Sequence, residues 1–554
     1  MKQSNPTELD IVYEYHDRTK HQLNRYAHSL GYLDWDNQPD PFRCYDQSLT
    51  LPLDHPQITE TPTYDSLFDI CQEPVAQVNR DSISRLFYES LAISAWKQVG
   101  ENRWSLRVNP SSGDLHPTEA YLIAGPIKDL SDVTAVYHYS AYAHAMERRI
   151  TLTNEEWKDI NQNLPPSSLL ISLSSIYWRE SWKYGERAFR YCHHDVGHAI
   201  GTITFAAAAL GWKTRLIHSV TDNDLAMLLG LHQQDGIEAE HPDCLLAIVP
   251  TDENITPADL IINLPAALFE RIKDIEFEGY PNTLSNLHHE WPIIDKVAEA
   301  CRFNDYSSLN QKQVPPDKYN NENEFAKDRQ ISAQKIIRQR RSALAMDGRS
   351  TISKETFYRM MVHVSPHLGK NIIAVLPWYA RVSLAIFIHR VDDLPAGLYL
   401  LARNPDHEPS LRKALRSDFS WDKPEDCPES LHLYLLQLAN TIDTARTVSC
   451  HQDIAADGAF ALGMLAEFDA SLKQYGALFY PRLFWETGLI GQILYLEAEA
   501  AGIQSTGIGC FFDDAMHEVL GISDHSWQSL YHFTVGGPVD DQRLQTLPSY
   551  WHLK

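Results

Sequence analysis

The chain carries an internal repeat, and this limits its architecture more than any other feature. With a constant offset of 291 and no gap, residues 184–230 align on 475–521. Tyr184, Gly185, Gly197, Ala207, Ala209, Gly211, Ile217, Asp222, Leu229 and Gly230 recur as Tyr475, Gly476, Gly488, Ala498, Ala500, Gly502, Ile508, Asp513, Leu520 and Gly521. Asp195 faces Glu486 in the same alignment. Glycines dominate such a set because a backbone that needs positive φ or close approach tolerates no side chain. Each copy reads as a long helix, about 188–210 and 479–501, ending at a glycine. A short strand or turn follows, then a helix closing in LLGL or VLGI. The stretches AIGTITFAAAALG and LIGQILYLEAEAAG are apolar nearly all round, as expected of central buried helices.

A chain of 554 residues is too long for one core, and roughly two to four domains are expected. The formal charge is −25, from 48 basic and 73 acidic side chains. Binding along a phosphate backbone needs a basic face, so nucleic acid is not expected as a partner. No apolar run approaches the ~20 residues of a membrane span, and the polar N-terminus lacks a secretory apolar segment. A cytoplasmic location and no membrane partner are the corresponding expectations. Eight cysteines without CxxC pairs or regular spacing form no disulfide framework and read as core or free thiols.

Residues 191–201, YCHHDVGHAIG, pose a metal question, since His194 and His198 stand four apart on a helix. The repeat answers it. His193, His194 and His198 become Phe484, Trp485 and Leu489 in the second copy, and only the carboxylate persists. The expectation is packed, hydrogen-bonded histidines and no metal.

Three further segments have site-like chemistry. In RWSLRVNPSSGDLHPTEAYLIAG (103–125), Asn109 to Gly113 is turn chemistry leading into an apolar strand over 120–124. KIIRQRRSALAMDGR (335–349) gathers Lys335, Arg338, Arg340, Arg341 and Arg349 in an otherwise acidic chain. Arginines beside a serine suit a phosphate, each charge-assisted bond contributing roughly 1.5–3 kcal/mol. STGIGCFFDD (505–514) places Gly507 and Gly509 where backbone could approach a planar ligand, and Arg543 follows a strand over 530–535. Cys510 beside this turn corresponds to Ser219 and reads as a core thiol.

These segments, in this order, resemble the nitroreductase family of FMN flavoproteins. The extension YHDRTKHQLNRYAHSLGYLDWDNQPDPFRCY and the motif PSSGDLHPTEAY resemble its SagB/ThcOx-type branch, which includes azoline dehydrogenases. The resemblance implies an α+β fold, each unit a mostly antiparallel sheet around a long central helix, packed as a two-fold dimer. It implies FMN bound where two such units meet. Carried over residue by residue, Arg340, Arg341 and Ser342 match the phosphate and ribityl contacts, and Arg543 matches a late basic residue. Gly507 and Gly509 match the turn facing the flavin, while Pro110, Ser111, Ser112 and Gly113 match a turn lent by the other unit.

The two halves depart from the family in complementary ways. The N-terminal half has PSSG but no Arg-Arg-Ser, and Leu216 and His218 replace the glycines. The C-terminal half has Arg-Arg-Ser and the glycines but no PSSG, and Leu344 stands where members often keep another cation. We therefore expect a nitroreductase-like domain at 1–251, a connector at 252–325 and a second such domain at 326–554. Clasped as an internal pseudo-dimer, workable as a monomer, they would hold about one FMN per chain.

The function implied is two-electron hydride transfer, with NADH or NADPH as candidate donor and a small-molecule or peptide-derived substrate. No catalytic side chain is named, because the chemistry belongs to the flavin. Two alternatives stand beside this: an azoline-type FMN dehydrogenase of peptide or secondary metabolism, and a flavin-free pseudo-dimer serving as an interaction protein.

Overall fold

The computed structural model describes residues 6–68, 73–251, 260, 262–273, 275–304, 329–366 and 372–553. It contains two α+β units built on one plan. The first sheet is antiparallel, in the order Thr50–Pro52, Ala145–Thr151, Ala135–Ser140, Thr118–Ala124, Leu169–Ser175, His241–Val249, Lys213–Ile217. The second runs Leu433–Leu438, Gly397–Leu401, Val382–Ile388, Phe460–Glu467, Trp527–Gly536, Gln504–Ile508. Apart from the extra edge strand in the first, the two orders are the same. In register, Ile171 lies opposite Leu122 and Leu246, as Leu462 lies opposite Ile386 and Phe533.

Each sheet covers a long central helix, Ala188–Ala208 or Phe479–Ala500, which the apolar runs predicted to within two residues. All of the first helix and nearly all of the second is buried, and one core cluster runs through both halves. The helices cross at Gly197 and Gly488, the two members of one repeat pair. A Cβ on Gly197 would strike the Trp485 carbonyl and lie 2.8 Å from Gly488 Cα; one on Gly488 would strike the His194 carbonyl. Backbones therefore touch where any side chain would hold them apart, and the pseudo-two-fold passes through this crossing.

Arms from both chain ends lock the halves together. The helix Glu8–Arg18, capped by Thr7 and Asp10, packs on the C-terminal half: Tyr13 Oη donates to Asp469 at 2.6 Å, and His16 Nε2 lies 3.1 Å from Gln528 Oε1. Conversely, the strand Gln545–Leu547 joins Ile93–Val99 and Asn102–Arg107 of the N-terminal half in a three-stranded sheet. Between the two units, the helix Pro292–Ala300 begins at Pro292, a residue suited to the first helical turn. Of the connector expected at 252–325, residues 252–259, 261, 274 and 305–325 lie outside the described residues, and the helix Ala333–Gln339 that follows it is started by Ser332. Among the described residues, no helix is long and apolar enough to cross a membrane.

The helix crossing makes a direct prediction. Gly197→Ala should lower the urea midpoint by an amount equivalent to about 3 kcal/mol or more, since overpacking here meets backbone rather than a movable side chain. Gly502→Ala, which meets nothing within 4 Å at a helix C-cap with φ +73°, should cost only about 1–2 kcal/mol. Equal losses in the two variants would contradict the tight crossing.

Candidate functional site

The serine turn and the arginine cluster meet at the seam between the halves. On the N-terminal side, Pro110 to Asp114 are partly exposed, whereas Arg107 to Asn109 behind them are buried. The turn is fixed by Asp195 on the central helix: the Ser112 amide donates to both carboxylate oxygens, at 3.2 and 3.3 Å. Ser111 Oγ accepts from the His116 amide at 2.8 Å.

On the C-terminal side, the helix Ala333–Gln339 delivers three arginines with different tasks. Arg338 pairs with Glu89 at 2.8 Å. Arg341 donates to the carbonyls of Arg338 at 2.9 Å and Ser94 at 3.1 Å, anchoring the chain to the small sheet. Burial, with Arg340 next, pulls Arg341 down to about 10, still charged at neutral pH. Arg340 is 3% exposed and crosses the seam, donating from Nη2 to the Arg107 carbonyl at 3.2 Å. Its guanidinium lies 4.9 Å from the centre of the Tyr495 ring. Arg340 Nε and Nη1 have no hydrogen-bond partner among the described residues, and neither does Ser505 Oγ nearby. Asp114 on the opposite wall is pushed up to about 6 by desolvation, with Lys183 and Arg340 pulling the other way.

Tyr495 organises the rest of this wall. Its hydroxyl lies 2.9 Å from Ser342 Oγ and accepts from the Gly507 amide at 2.9 Å. Gly507 belongs to the strand Gln504–Ile508 rather than to a turn, and a Cβ there would collide with the Tyr531 hydroxyl. Tyr191, from the other half's central helix, donates to the Gly509 carbonyl at 3.1 Å. Arg543 sits apart. Its side chain is 82% exposed and is engaged by Asp541 two residues away, at 2.7 Å. Cys510 is also not a core thiol: it is half-buried, with its sulfur 2.8 Å from that of Cys450. The alignment with Ser219 could not reveal a partner that only the C-terminal half supplies.

The three histidines each hold a separate bond across the helix crossing. His193 Nδ1 accepts from Trp485 Nε1 at 3.1 Å, His194 Nε2 lies 3.0 Å from the Leu530 carbonyl, and His198 Nε2 lies 3.2 Å from the Tyr531 hydroxyl. Burial depresses all three, His193 and His198 to about 3, so they are neutral at physiological pH.

The position related to this seam by the pseudo-two-fold is built differently. Buried Ile373, Val375 and Leu376 lie in the stretch that lacks PSSG, with Ile373–Val375 against the strand Lys213–Ile217. Arg482, the counterpart of Tyr191, turns onto Trp485 and Phe303. The space left beside it is a cavity of about 30 Å³ between Asp222, Asp243, Cys301 and Arg482, room for only one or two waters. Glu486, counterpart of Asp195, binds backbone amides of Arg381 and Val382 and is ion-paired with Arg403. Asp195 and its neighbour Glu180 have no such ion pair among the described residues. Desolvation pushes Asp195 up to about 8, and Glu180 well above the carboxylate range.

The nitroreductase family model matches residues 97–248 and 396–537, once in each half and over more than half of the chain. The chain belongs to the nitroreductase family. The crystal structure of a nitroreductase homologue from Anabaena variabilis superposes with a TM-score of 0.68 at 22% identity, covering 96% of this chain and 99% of that one. That likeness establishes the fold and runs through both halves of this chain. "Putative nitroreductase MJ1384" of Methanocaldococcus jannaschii is 27% identical over 130 residues, 22% of this chain and 64% of its own length.

Sequence reading missed Tyr191, Tyr495 and Tyr531. Tyr495 is one of 26 tyrosines and lies within an apolar helix, so nothing marked it. Asp195 did leave a trace, as the acidic position kept in both copies.

Asp195 gives the protein a pH signature. Its pKa is raised on folding, so its contribution to stability is full below about 4, the unfolded value, and is lost as pH rises through about 8. The depressed histidines act only below about 6.5, so they are silent in the alkaline part of that window. From pH 7 to 8 the wild-type urea midpoint should fall, by up to on the order of 1 kcal/mol per pH unit. Asp195→Asn should flatten that slope; an unchanged slope would show that Asp195 is already ionised.

Proposed function

We propose that this nitroreductase-family protein is an FMN-dependent oxidoreductase with one flavin site at the seam between its halves. The observation that carries the reading is Arg340: a buried guanidinium at the seam of the two halves, with two nitrogens that have no partner among the described residues. Unsatisfied buried donors on a cation are costly unless an anion meets them. The FMN phosphate fits that requirement, with Arg340 as its main ligand and Ser342 and Ser505 as hydroxyl partners. Arg341 then serves as scaffold, holding the arginine segment to Ser94 of the opposite half. Arg543 stays outside the set because Asp541 occupies it.

When bound, FMN supplies a ring that accepts and returns a hydride. The chain's own groups position and enclose it. Ser111 and Ser112, held by Asp195, form the N-terminal wall. Gly507, fixed through Tyr495, presents backbone without a side chain on the C-terminal wall. Tyr191 and Tyr531 close the floor and exclude water there. Asp195 can hold a proton near neutral pH beside the serine turn.

Arg340→Ala should weaken FMN binding roughly 10-fold to 100-fold, from the loss of ~1.5–3 kcal/mol per charge-assisted bond. Arg543→Ala should change it less than about 2-fold, within the small worth of an exposed ion pair. Fluorescence titration of the apoprotein reads both. Equal effects of the two substitutions would remove Arg340 from its role as the main phosphate ligand. Anaerobic addition of NADH or NADPH then separates the two flavin chemistries: bleaching marks a reductase, and a stable yellow colour points to dehydrogenation of an azoline-like substrate.

A further inference from the structure

Near the seam, two thiols face each other in surroundings unlike those of the other described cysteines. Cys450 follows the helix Ile442–Val448 and has φ +53°; Cys510 follows the strand Gln504–Ile508. Their sulfurs are 2.8 Å apart, closer than ordinary non-bonded contact, with both thiols free. Backbone fixes the approach. The Phe512 amide donates to the Val448 carbonyl at 2.8 Å, and Gln452 Nε2 donates to the Cys510 carbonyl at 2.9 Å.

Positive and hydrogen-bonding groups surround Cys510. The strap after the first helix runs beside it, with the His21 amide donating to Asp513 at 2.9 Å and the Asp513 amide to the His21 carbonyl at 3.0 Å. His21 Nδ1 accepts from the Ala27 amide at 2.9 Å, which assigns the ring proton to Nε2. Arg187 donates to the Gly509 carbonyl at 3.3 Å and is ion-paired with Asp513 at 3.0 Å. Cys450, His21 and Arg187 together hold the Cys510 thiol below the usual range. Burial pushes Cys44 and Cys427 up to about 11, and Cys192, Cys244 and Cys301 are fully buried. Both Cys450 and Cys510 are partly exposed, as a reactive pair must be.

We propose that Cys450 and Cys510 form a reversible dithiol–disulfide centre that exchanges with low-molecular-weight disulfides, Cys510 attacking and Cys450 resolving. The Cys510 thiolate attacks one sulfur of RS–SR, an S–S bond breaks, and one RS⁻ leaves as a mixed disulfide forms. Cys450 then loses its proton and attacks Cys510 Sγ, expelling the second RS⁻. The protein gives up two electrons and two protons, and RS–SR becomes two RSH. The product would tie residues 448–450 to the segment that follows Gly507, fixing one wall of the seam. The exchange needs no bound cofactor, so it stands or falls apart from the flavin reading.

The test uses the full reduced chain in glutathione buffers of increasing oxidised fraction, quenched by alkylation and mapped by mass spectrometry. Wild type should lose two alkylation sites together and yield a 450–510 crosslinked peptide. Cys450→Ser should stop at a single glutathione adduct on Cys510, and Cys510→Ser should form neither product. His21→Ala should slow adduct formation about 10-fold while the circular dichroism spectrum is unchanged, because it removes the group that favours the thiolate. The proposal is overturned if both thiols stay alkylatable in fully oxidised buffer, or if the Cys450→Ser adduct falls on Cys44 or Cys427.

Discussion

Two glycines touching across a helix crossing set the geometry of this molecule. Gly197 and Gly488 bring the central helices close enough for side chains of each to reach the other half's strands and loops. His194 then bonds the Leu530 carbonyl, His198 meets Tyr531, and Tyr191 reaches Gly509. A wider crossing would separate each of these pairs and, with them, the two walls of the seam. The exchanged arms at both chain ends add closure around the same axis, so the halves are integrated beyond a simple face-to-face dimer.

Duplication supplied symmetric scaffolding, and divergence made its two interfacial positions unlike. On one side are partly exposed serines, a buried arginine with donors unmet among the described residues, and a strand whose Gly507 leaves room for the Tyr531 hydroxyl. On the other, Ile373, Val375, Leu376, Leu216, Arg482 and Phe303 pack where those groups would be. The carboxylate pair shows the divergence in one comparison. Glu486 is matched by Arg403, whereas Asp195 has no ion pair among the described residues and binds the serine turn. A buried carboxyl without a cation is a cost to the fold, so its position beside the seam points to a task there.

Much of this was legible in the sequence, for identifiable physical reasons. The gapless 291-residue offset survives because helix crossing and glycine C-caps leave little freedom, and the apolar runs located both central helices. The serine turn and Arg340 announced themselves through residue chemistry. Arg543 stands apart, paired with Asp541, and such local pairing is a contest that composition cannot decide. Tyr495 and Tyr531 were silent, since a tyrosine in an apolar element looks the same whether its hydroxyl faces a core or a site. The exchanged strand Gln545–Leu547 and the Cys450–Cys510 pair were also silent. Both depend on partners brought together only by the completed fold.

In the proposed site, one half supplies the serine wall and the other the cationic wall around a single nucleotide. Calorimetric titration of the apoprotein with FMN tests it most directly. Saturation is predicted at one FMN per 63.2 kDa chain. Two equivalents would contradict the asymmetry of the two interfacial positions, and no binding would contradict the site itself.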